Sequence, residues 1–330
     1  MSERILSVSK LSVVYGARRG FVNAVRNTSL DIYRGECLAL VGESGSGKTT
    51  LALSIVRALP TNAKILQGSI LYRLNPNSEI DIARLSEDEI RKIRWKEIAM
   101  VFQGSMNAFN PVLKIREHFI ETVKAHGIAI DRKELIDRAA KLLSLVMLDA
   151  NRVLNSYPHQ LSGGMKQRTL IALALMLEPK ILILDEPTSA LDVVSQKTVL
   201  NVLSNLKKEL NLSMVFITHD LAITAEVADR VGVMYAGQLV EVGDIYGVYY
   251  KPLHPYTQGL LKAIPRLKGS VDIASIPGSP PDLINPPMGC TFHPRCPFAM
   301  DICRREEPPE THTNDRIVKC WLYAKDSKVI

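Results

Sequence analysis

A glycine-rich segment near the amino terminus constrains the fold of this chain more than any other feature. Residues 42–49 read GESGSGKT and fit the pattern G-x-x-x-x-G-K-[ST] of phosphate-binding loops. The segment, called the phosphate loop below, follows the apolar run 37–41 and precedes a helical run, 49–59, which Pro60 ends. This order predicts a buried strand, a tight turn, and a helix whose first N–H groups face a bound anion.

The residue types in the phosphate loop suit a nucleoside triphosphate. Its glycines allow a tight turn with inward N–H groups, the Lys48 ammonium reaches the β- and γ-phosphates, and the Thr49 hydroxyl is a ligand for Mg²⁺. An ordinary Gly/Ser turn would need neither the lysine nor the threonine. The predicted nucleotide-binding residues here are Gly42, Glu43, Ser44, Gly45, Ser46, Gly47, Lys48, Thr49 and Thr50.

Two later segments add a polar motif and an acidic pair. The signature segment, LSGGMKQR at 161–168, precedes an apolar helical run at 169–177, and ILILDEPT follows at 181–188. The apolar residues 181–184 predict a strand buried on both faces of a parallel sheet. At the carboxyl end of such a strand, Asp185 suits Mg²⁺ and Glu186 suits a base that orients the attacking water.

These motifs, in this order, resemble those of the ATP-binding cassette (ABC) ATPases over about residues 1–250. The resemblance implies that Tyr15 stacks on adenine, that Gln103 senses Mg²⁺ and the γ-phosphate, and that His219 contacts the γ-phosphate. It also implies that the signature segment contacts the nucleotide bound to a second subunit, and that Asp192 lies at the contact between the two subunits. The signature residues expected at that nucleotide are Ser162, Gly163 and Gly164, and Met165 departs from the glutamine of many members.

Each of these residues also has a purely structural interpretation. Tyr15 could pack on a neighbouring strand, Gln103 could be a polar loop residue, and His219 could be a structural histidine. Ser162 is a good helix N-cap and Asp192 a good turn residue. Asp185 and Glu186 could cap a helix. The ordered set favours the ATPase interpretation, because one family explains all these residues together.

The remaining pattern predicts an α/β fold, the P-loop ABC cassette. Residues 4–14, 21–33 and 61–84 indicate an antiparallel β layer, and 181–236 return to the parallel sheet core. Ser86 and Glu89 form a capping box for a helix, and 112–150 are helical by pattern. We therefore expect a nucleotide-binding domain at 1–250, with a helical subdomain at about 105–165, and a small loop-rich carboxyl-terminal extension at 251–330.

Composition excludes several classes of protein. The chain has 330 residues, 46% of them hydrophobic, which is ample for a core. It has no apolar stretch of the roughly 20 residues that a spanning helix needs, and no signal peptide, so we expect a soluble intracellular chain. The net charge of +7 favours anionic surfaces, although a scattered, solvated set of charges explains it at least as well. Without a long basic block interleaved with aromatics, nucleic acid is not expected as a partner.

The carboxyl-terminal extension is rich in proline and contains four of the five cysteines. Cys290, Cys296, Cys303 and Cys320 are separated by 5, 6 and 16 residues, which is not the spacing of a zinc ribbon. Four thiolates so close in sequence suit a four-cysteine metal centre, either iron–sulfur or zinc. Free thiols explain the spacing almost as well.

Three stretches extend the resemblance to the dipeptide/oligopeptide importer ATPases and to nearly the whole chain: HPYT at 254–257 with GCTFHPRCP at 289–297, LSEDEIRKIR at 85–94, and FQ at 102–103 running to NPVL at 110–113. This resemblance implies ATP and Mg²⁺ as cofactors, with Thr49, Gln103 and Asp185 at the Mg²⁺, and a [4Fe–4S] cluster on the four cysteines, with zinc as the alternative. The implied partners are two transmembrane permease subunits, a second ATPase, and an extracellular solute-binding protein. The implied location is the cytoplasmic face of the membrane. Oligosaccharide or nickel import, a cytosolic ABC ATPase without a transport role, and a metal-sensing regulator remain alternatives.

Overall fold

The structure is a computed structural model that describes residues 3–104, 107–263, 276–313 and 315–324. Its strands are β1 (Arg4–Ala17), β2 (Gly20–Tyr33), β3 (Cys37–Val41), β4 (Ala63–Asn75), β5 (Ser78–Asp81), β6 (Ile98–Val101), β7 (Ile181–Asp185), β8 (Ser213–Ile217), β9 (Arg230–Tyr235), β10 (Gln238–Asp244), β11 (Glu310–Thr313) and β12 (Arg316–Lys319). Its helices are α1 (Lys48–Ile55), α2 (Glu87–Ile93), α3 (Ile115–Ala125), α4 (Arg132–Leu145), α5 (Ala150–Asn155), α6 (Gly163–Ala174), α7 (Val193–Leu210), α8 (Leu221–Thr224), α9 (Ile245–Tyr250), α10 (Pro255–Lys262) and α11 (Asp301–Arg305). The mixture of helices and strands is that of the predicted α/β class.

The described residues divide into two compact units. The first unit draws on residues 1–33, 38–84 and 218–330. In it an antiparallel layer has the order β2-β1-β4-β5, and a second set of strands has the order β11-β12-β10-β9-β3. Within that second set β3 is parallel to β9, and the remaining neighbours are antiparallel. The first unit therefore carries the phosphate loop together with the carboxyl-terminal extension.

The second unit consists of residues 34–37 and 85–217. Its strands are parallel in the order β8-β7-β6, and it contains the helices α2 to α7. Every residue of these three strands is buried, as expected for short apolar runs covered on both faces. The second unit therefore carries the signature segment and the acidic pair.

Two predicted helices have different bounds in the structure. The helix expected at 49–59 ends at Ile55, because Arg57 has a left-handed backbone (φ 52°) and its guanidinium donates to the carbonyl oxygens of Ile82 and Ala83. The helix expected at 169–177 begins much earlier, at Gly163, because the Ser162 hydroxyl caps it by accepting a hydrogen bond from the Met165 N–H. It ends at Ala174.

Local sequence signals placed other elements correctly. The capping box of Ser86 and Glu89 starts α2, with both reciprocal hydrogen bonds present. The region predicted as helical at 112–150 contains α3 and α4, and α5 begins at its last residue. Asp131 caps α4 and Asp149 caps α5, each accepting hydrogen bonds from N–H groups of the first turn. Residues 105 and 106 of the expected helical subdomain lie outside the described residues.

The carboxyl-terminal extension has more regular structure than its proline content suggested. It contains α10, α11 and the hairpin of β11 and β12, in addition to loops. β12 pairs with β10 through Glu241↔Val318 and Val242↔Ile317, so the extension adds two strands to a sheet of the first unit. Residues 264–275 of the extension lie outside the described residues.

Candidate functional site

The phosphate loop joins β3 to α1, as predicted. It turns sharply at Gly47, which has φ 102° and lies so close to another strand that a Cβ atom would be 2.3 Å from the Ala24 carbonyl oxygen. Only glycine fits that position, because both its backbone angle and its close neighbour exclude a side chain. The packing of β2 therefore fixes the entry to α1.

Lys48 holds the phosphate loop in its turned shape. Its side chain is buried, and its ammonium donates hydrogen bonds to the carbonyl oxygens of Gly42 at 2.8 Å and Glu43 at 3.0 Å. A third contact joins it to the Ser46 hydroxyl at 3.3 Å. The cation is thus held at the centre of the loop, where it can attract phosphate oxygens.

The first unit also contains the predicted site residues Tyr15, Thr49 and His219. The Tyr15 hydroxyl lies 3.1 Å from the Thr50 hydroxyl, so this half-buried aromatic is attached to the start of α1. Thr49 is exposed on the loop. His219 is exposed and follows Thr218, whose N–H donates to the Leu40 carbonyl of β3. The histidine therefore lies near the strand end from which the phosphate loop departs.

The second unit brings three predicted residues together at one edge of its sheet. Val101 of β6 pairs with Leu184 of β7, so Gln103 and the acidic pair follow adjacent strand ends. The Gln103 side-chain amide donates a hydrogen bond of 2.9 Å to the Glu186 carboxylate. Asp185 is buried at the last position of β7.

Glu186 has an unusual backbone conformation. Its φ of 47° is in the left-handed region, and its N–H donates to the Ile217 carbonyl at the end of β8. Such a conformation costs free energy and persists where the surroundings determine it, often at functional sites. The backbone turn and the Gln103 amide together orient the Glu186 carboxylate.

The signature segment packs closely against the segment that contains Asp192. Gly164 lies in the first turn of α6, where a Cβ atom would be 2.8 Å from the Ser195 hydroxyl oxygen. Asp192 caps α7, and hydrogen bonds from the Ser195 N–H and hydroxyl lower the pKa of its carboxyl. Ser162 and Asp192 therefore act as helix caps. Both residues are also exposed, so capping does not prevent them from contacting another subunit.

Sequence reasoning did not single out two residues of the extension that contact the phosphate loop. The Arg295 guanidinium binds both carboxylate oxygens of Glu43, at 2.7 and 2.9 Å. The Tyr256 hydroxyl accepts a hydrogen bond of 2.9 Å from the Glu43 N–H. Both residues belong to motifs that carried the family resemblance, but nothing local to either motif indicates a contact with the loop.

The four late cysteines lie in one neighbourhood of the extension, with the Cys290 N–H bonded to the Cys303 carbonyl. Burial raises the pKa of the Cys290 thiol to about 11 and that of Cys320 to about 12, and nearby cysteines add to both shifts. In the described part of the chain, no group of three or more His, Cys, Asp or Glu side chains is arranged to hold a metal ion. The arrangement of the described residues therefore does not support the predicted iron–sulfur or zinc centre.

Among the described residues, none of the helices combines the length and the apolar composition that crossing a membrane requires.

Comparison with known proteins agrees with the motifs. The family model described as ABC transporter matches residues 25–189, and the model described as oligopeptide/dipeptide transporter, C-terminal region, matches residues 240–303. A dipeptide transport ATP-binding protein of Caldanaerobacter subterraneus subsp. tengcongensis is 48% identical over 97% of this chain and 97% of its own length. An oligopeptide transport ATP-binding protein of Escherichia coli strain K12 is 40% identical over 97% of this chain and 94% of its own length.

Solved structures support the same fold. A dimeric ATP-binding cassette in a post-hydrolysis state, bound to ADP and Pi, is 29% identical and covers 73% of this chain and 99% of its own, with a TM-score of 0.63. The predicted P-loop cassette fold and the predicted family are thereby confirmed. The chain belongs to the ABC transporter ATPases, in the group that carries the oligopeptide/dipeptide transporter carboxyl-terminal region.

Proposed function

We propose that this chain hydrolyses ATP to power the import of dipeptides or oligopeptides through a pair of membrane permeases. The match of residues 240–303 to the oligopeptide/dipeptide carboxyl-terminal region carries the proposal, because this region distinguishes the chain from ABC ATPases in general. Relatives that are called dipeptide or oligopeptide transport ATP-binding proteins support the same substrate class.

The proposed chemistry assigns a task to each predicted residue. Lys48 binds the β- and γ-phosphates and Tyr15 stacks on adenine. Glu186 orients the attacking water, and Gln103 holds the carboxylate in place through their hydrogen bond. His219 stabilises charge on the γ-phosphate as it develops. When bound, Mg²⁺ would neutralise phosphate charge, and the residues proposed to hold it are Thr49, Gln103 and Asp185.

We further propose that two cassettes meet head to tail. Each ATP would lie between the phosphate loop of one subunit and the signature residues 162–164 of the other, with Asp192 at the contact. ATP binding would close the dimer and hydrolysis would reopen it. The exposed positions of Ser162, Gly163 and Asp192 support this arrangement. In the proposed system residues 1–250 are the nucleotide-binding domain and 251–330 the extension.

The proposed partners follow from the importer class. They are two transmembrane permease subunits, a second and related ATPase, and an extracellular solute-binding protein, with this chain at the cytoplasmic face of the membrane. Nucleic acid is not among them. Import of an oligosaccharide or of nickel would use the same ATPase chemistry, because the transported solute does not contact this subunit.

A pull-down from detergent-solubilised membranes, followed by uptake assays, tests the function. We expect the tagged chain to recover two hydrophobic permeases and a related ATPase. Deleting its gene should abolish uptake of a labelled dipeptide or tetrapeptide while leaving amino-acid uptake unchanged. Unchanged peptide uptake with lost oligosaccharide or nickel uptake would replace the substrate class. Recovery of ribosomes or DNA instead of permeases would favour a cytosolic ABC ATPase.

A metal centre on Cys290, Cys296, Cys303 and Cys320 remains a separate proposal, with a [4Fe–4S] cluster first and zinc second. The shared neighbourhood of the thiols supports it, although their present arrangement does not form a metal site. Anaerobically purified protein should be brown and contain about four irons per chain. One zinc in a colourless sample would replace iron, and a metal-free sample in which each cysteine can be substituted without loss of stability would return the group to free thiols.

A further inference from the structure

The carboxyl-terminal extension makes hydrogen bonds to the phosphate loop at Glu43, which is the second residue of the loop. Arg295 approaches it with two parallel hydrogen bonds, of 2.7 and 2.9 Å, to the two carboxylate oxygens. These residues are 252 positions apart in the chain. A bidentate pair of this kind fixes both the position and the direction of the carboxylate.

Arg295 is itself rigidly held. Only 8% of its surface is exposed, and its Nε donates to the Pro277 carbonyl at 2.9 Å. Its guanidinium also lies 5.8 Å from the centre of the Tyr235 ring, within the range of a cation–π contact. A buried guanidinium with three kinds of partner has little freedom, so it restrains Glu43 rather than following it.

The backbone of Glu43 is fixed from both sides. Its N–H donates to the Tyr256 hydroxyl of α10 at 2.9 Å, and its carbonyl accepts from the Lys48 ammonium at 3.0 Å. Tyr256 is fully buried and packs against the rings of Tyr235 and Phe292, which also contact each other. A continuous set of contacts therefore runs from the extension through Glu43 to the cation of the phosphate loop.

We propose that Arg295 is a positioning residue for nucleotide binding: by holding Glu43 it sets the backbone of the phosphate loop in the shape that receives phosphate. The proposal rests on the proposed function, in that the loop binds ATP. It gives the extension a direct task in shaping the phosphate loop.

The direction in which Glu43→Ala changes ATP affinity distinguishes this mechanism from simple electrostatics. If Arg295 acted only as a distant positive charge, Glu43→Ala would remove a negative charge near the phosphates and tighten ATP binding. If the pair positions the loop, Glu43→Ala and Arg295→Met both weaken binding. We expect each to raise the Kd for ATP about tenfold, because each leaves a charged hydrogen-bonding partner uncompensated.

The test is a double-mutant cycle on the full chain, with ATP affinity measured by titration calorimetry. We expect the double variant to bind no more weakly than either single variant, because both remove the same link. In the assembled transporter we expect KM for ATP to rise while kcat changes little. Arg295→Lys, which keeps the charge but loses the planar fork, should fall between wild type and Arg295→Met.

Arg305→Met is the matched control, because Arg305 is an exposed arginine of the same extension, and it should bind ATP as the wild type does. Thermal unfolding without ATP checks that each variant is folded. If Arg295→Met does not fold, the direction of the change in ATP affinity caused by Glu43→Ala is sufficient to test the positioning role. Unchanged or tighter binding by Glu43→Ala would overturn the positioning role. A wild-type chain that does not bind ATP would instead overturn the proposed function.

Discussion

The Gln103 amide nitrogen lies 2.9 Å from a carboxylate oxygen of Glu186, although the two residues are 83 positions apart in the chain. Neighbouring parallel strands β6 and β7 bring them together. The bond leaves Glu186 with a defined orientation beside the buried Asp185. A carboxylate that must align a water molecule benefits from such a support, since misorientation lowers the rate even when the charge is intact.

Replacing Glu186 by glutamine should stop turnover without stopping ATP binding. The substitution preserves size and removes the charge that we propose orients water, so we expect kcat in the assembled transporter to fall at least about a hundredfold. Phosphate release measures turnover, and calorimetry on the same sample measures ATP affinity. Glu209→Gln, an exposed carboxylate near the end of α7, is the control and should hydrolyse ATP normally. A normal rate for the Glu186 variant would remove its assignment as base.

Replacing Lys48 by alanine, in contrast, should weaken ATP binding. The change removes a cation that bonds to the Gly42 and Glu43 carbonyls and is placed to attract phosphate, so we expect the Kd for ATP to rise at least about tenfold. Calorimetric titration of ATP into the folded variant measures it. ATP affinity equal to that of the wild type would mean that Lys48 serves only to shape the loop.

Two glycines of the phosphate loop should respond differently to alanine. At Gly47 a Cβ would lie 2.3 Å from the Ala24 carbonyl oxygen, whereas at Gly45 no atom lies within 4 Å. We expect Gly47→Ala to lower the free energy of unfolding by about 3 kcal/mol, and Gly45→Ala by about 1 kcal/mol through its left-handed backbone alone. Chemical denaturation measures both. Equal losses would show that the contact with β2 relaxes easily.

Stability should fall in mild acid because of one buried histidine. Burial lowers the pKa of His254 to about 3, and its Nδ1 accepts a hydrogen bond from the Tyr256 N–H. A histidine in the unfolded chain has a pKa of about 6.5. Below that pH the unfolded chain therefore binds a proton that the native chain does not bind. The stabilising effect of the neutral ring is therefore complete above about pH 6.5 and is lost as the pH falls toward 3. From about pH 7 to about pH 5 we expect a loss of ~2 kcal/mol.

His254→Asn separates this effect from other titrating groups. Asparagine keeps an acceptor at the N-cap of α10 but cannot titrate. Burial raises the pKa of the neighbouring Glu241, whose contribution to stability therefore rises in acid and opposes that of His254. The difference between wild type and variant, measured by urea unfolding at several pH values, isolates the histidine. A variant with the same pH dependence as the wild type would contradict the assignment.

The isolated chain should hydrolyse ATP weakly or not at all. In the proposed dimer each nucleotide needs the signature segment of a second subunit, which a monomer lacks. Turnover measured across a range of protein concentrations, beside light scattering to establish the mass, tests this expectation. Rapid turnover that does not depend on concentration, from a demonstrated monomer, would be incompatible with a shared site.

Sequence reasoning succeeded where the determinants are local. The phosphate loop, the capping box of α2 and the buried strand β7 each depend on residues within one turn or one strand. It failed at the end of α1, where Arg57 binds carbonyl groups 25 and 26 residues away. The pairing of Glu43 with Arg295 was equally inaccessible, because 252 residues separate them and neither has an unusual local pattern. The polar residues of β11 likewise gave no alternating apolar signal, since among the described strands it pairs only with β12, at the end of the strand order.

The division of the chain has a consequence for its synthesis. The second unit is almost entirely the continuous stretch 85–217, whereas the first unit joins residues before 85 to residues after 217. β3 must wait for β9, since Leu40 pairs with Gly232, and β10 must wait for β12. During translation the second unit can therefore fold as soon as it emerges from the ribosome, but the first unit stays incomplete until the last strands are made. Nascent chains truncated before residue 218 would expose the edge of β3 that pairs with β9 in the complete chain, and an unpaired strand edge of this kind favours aggregation.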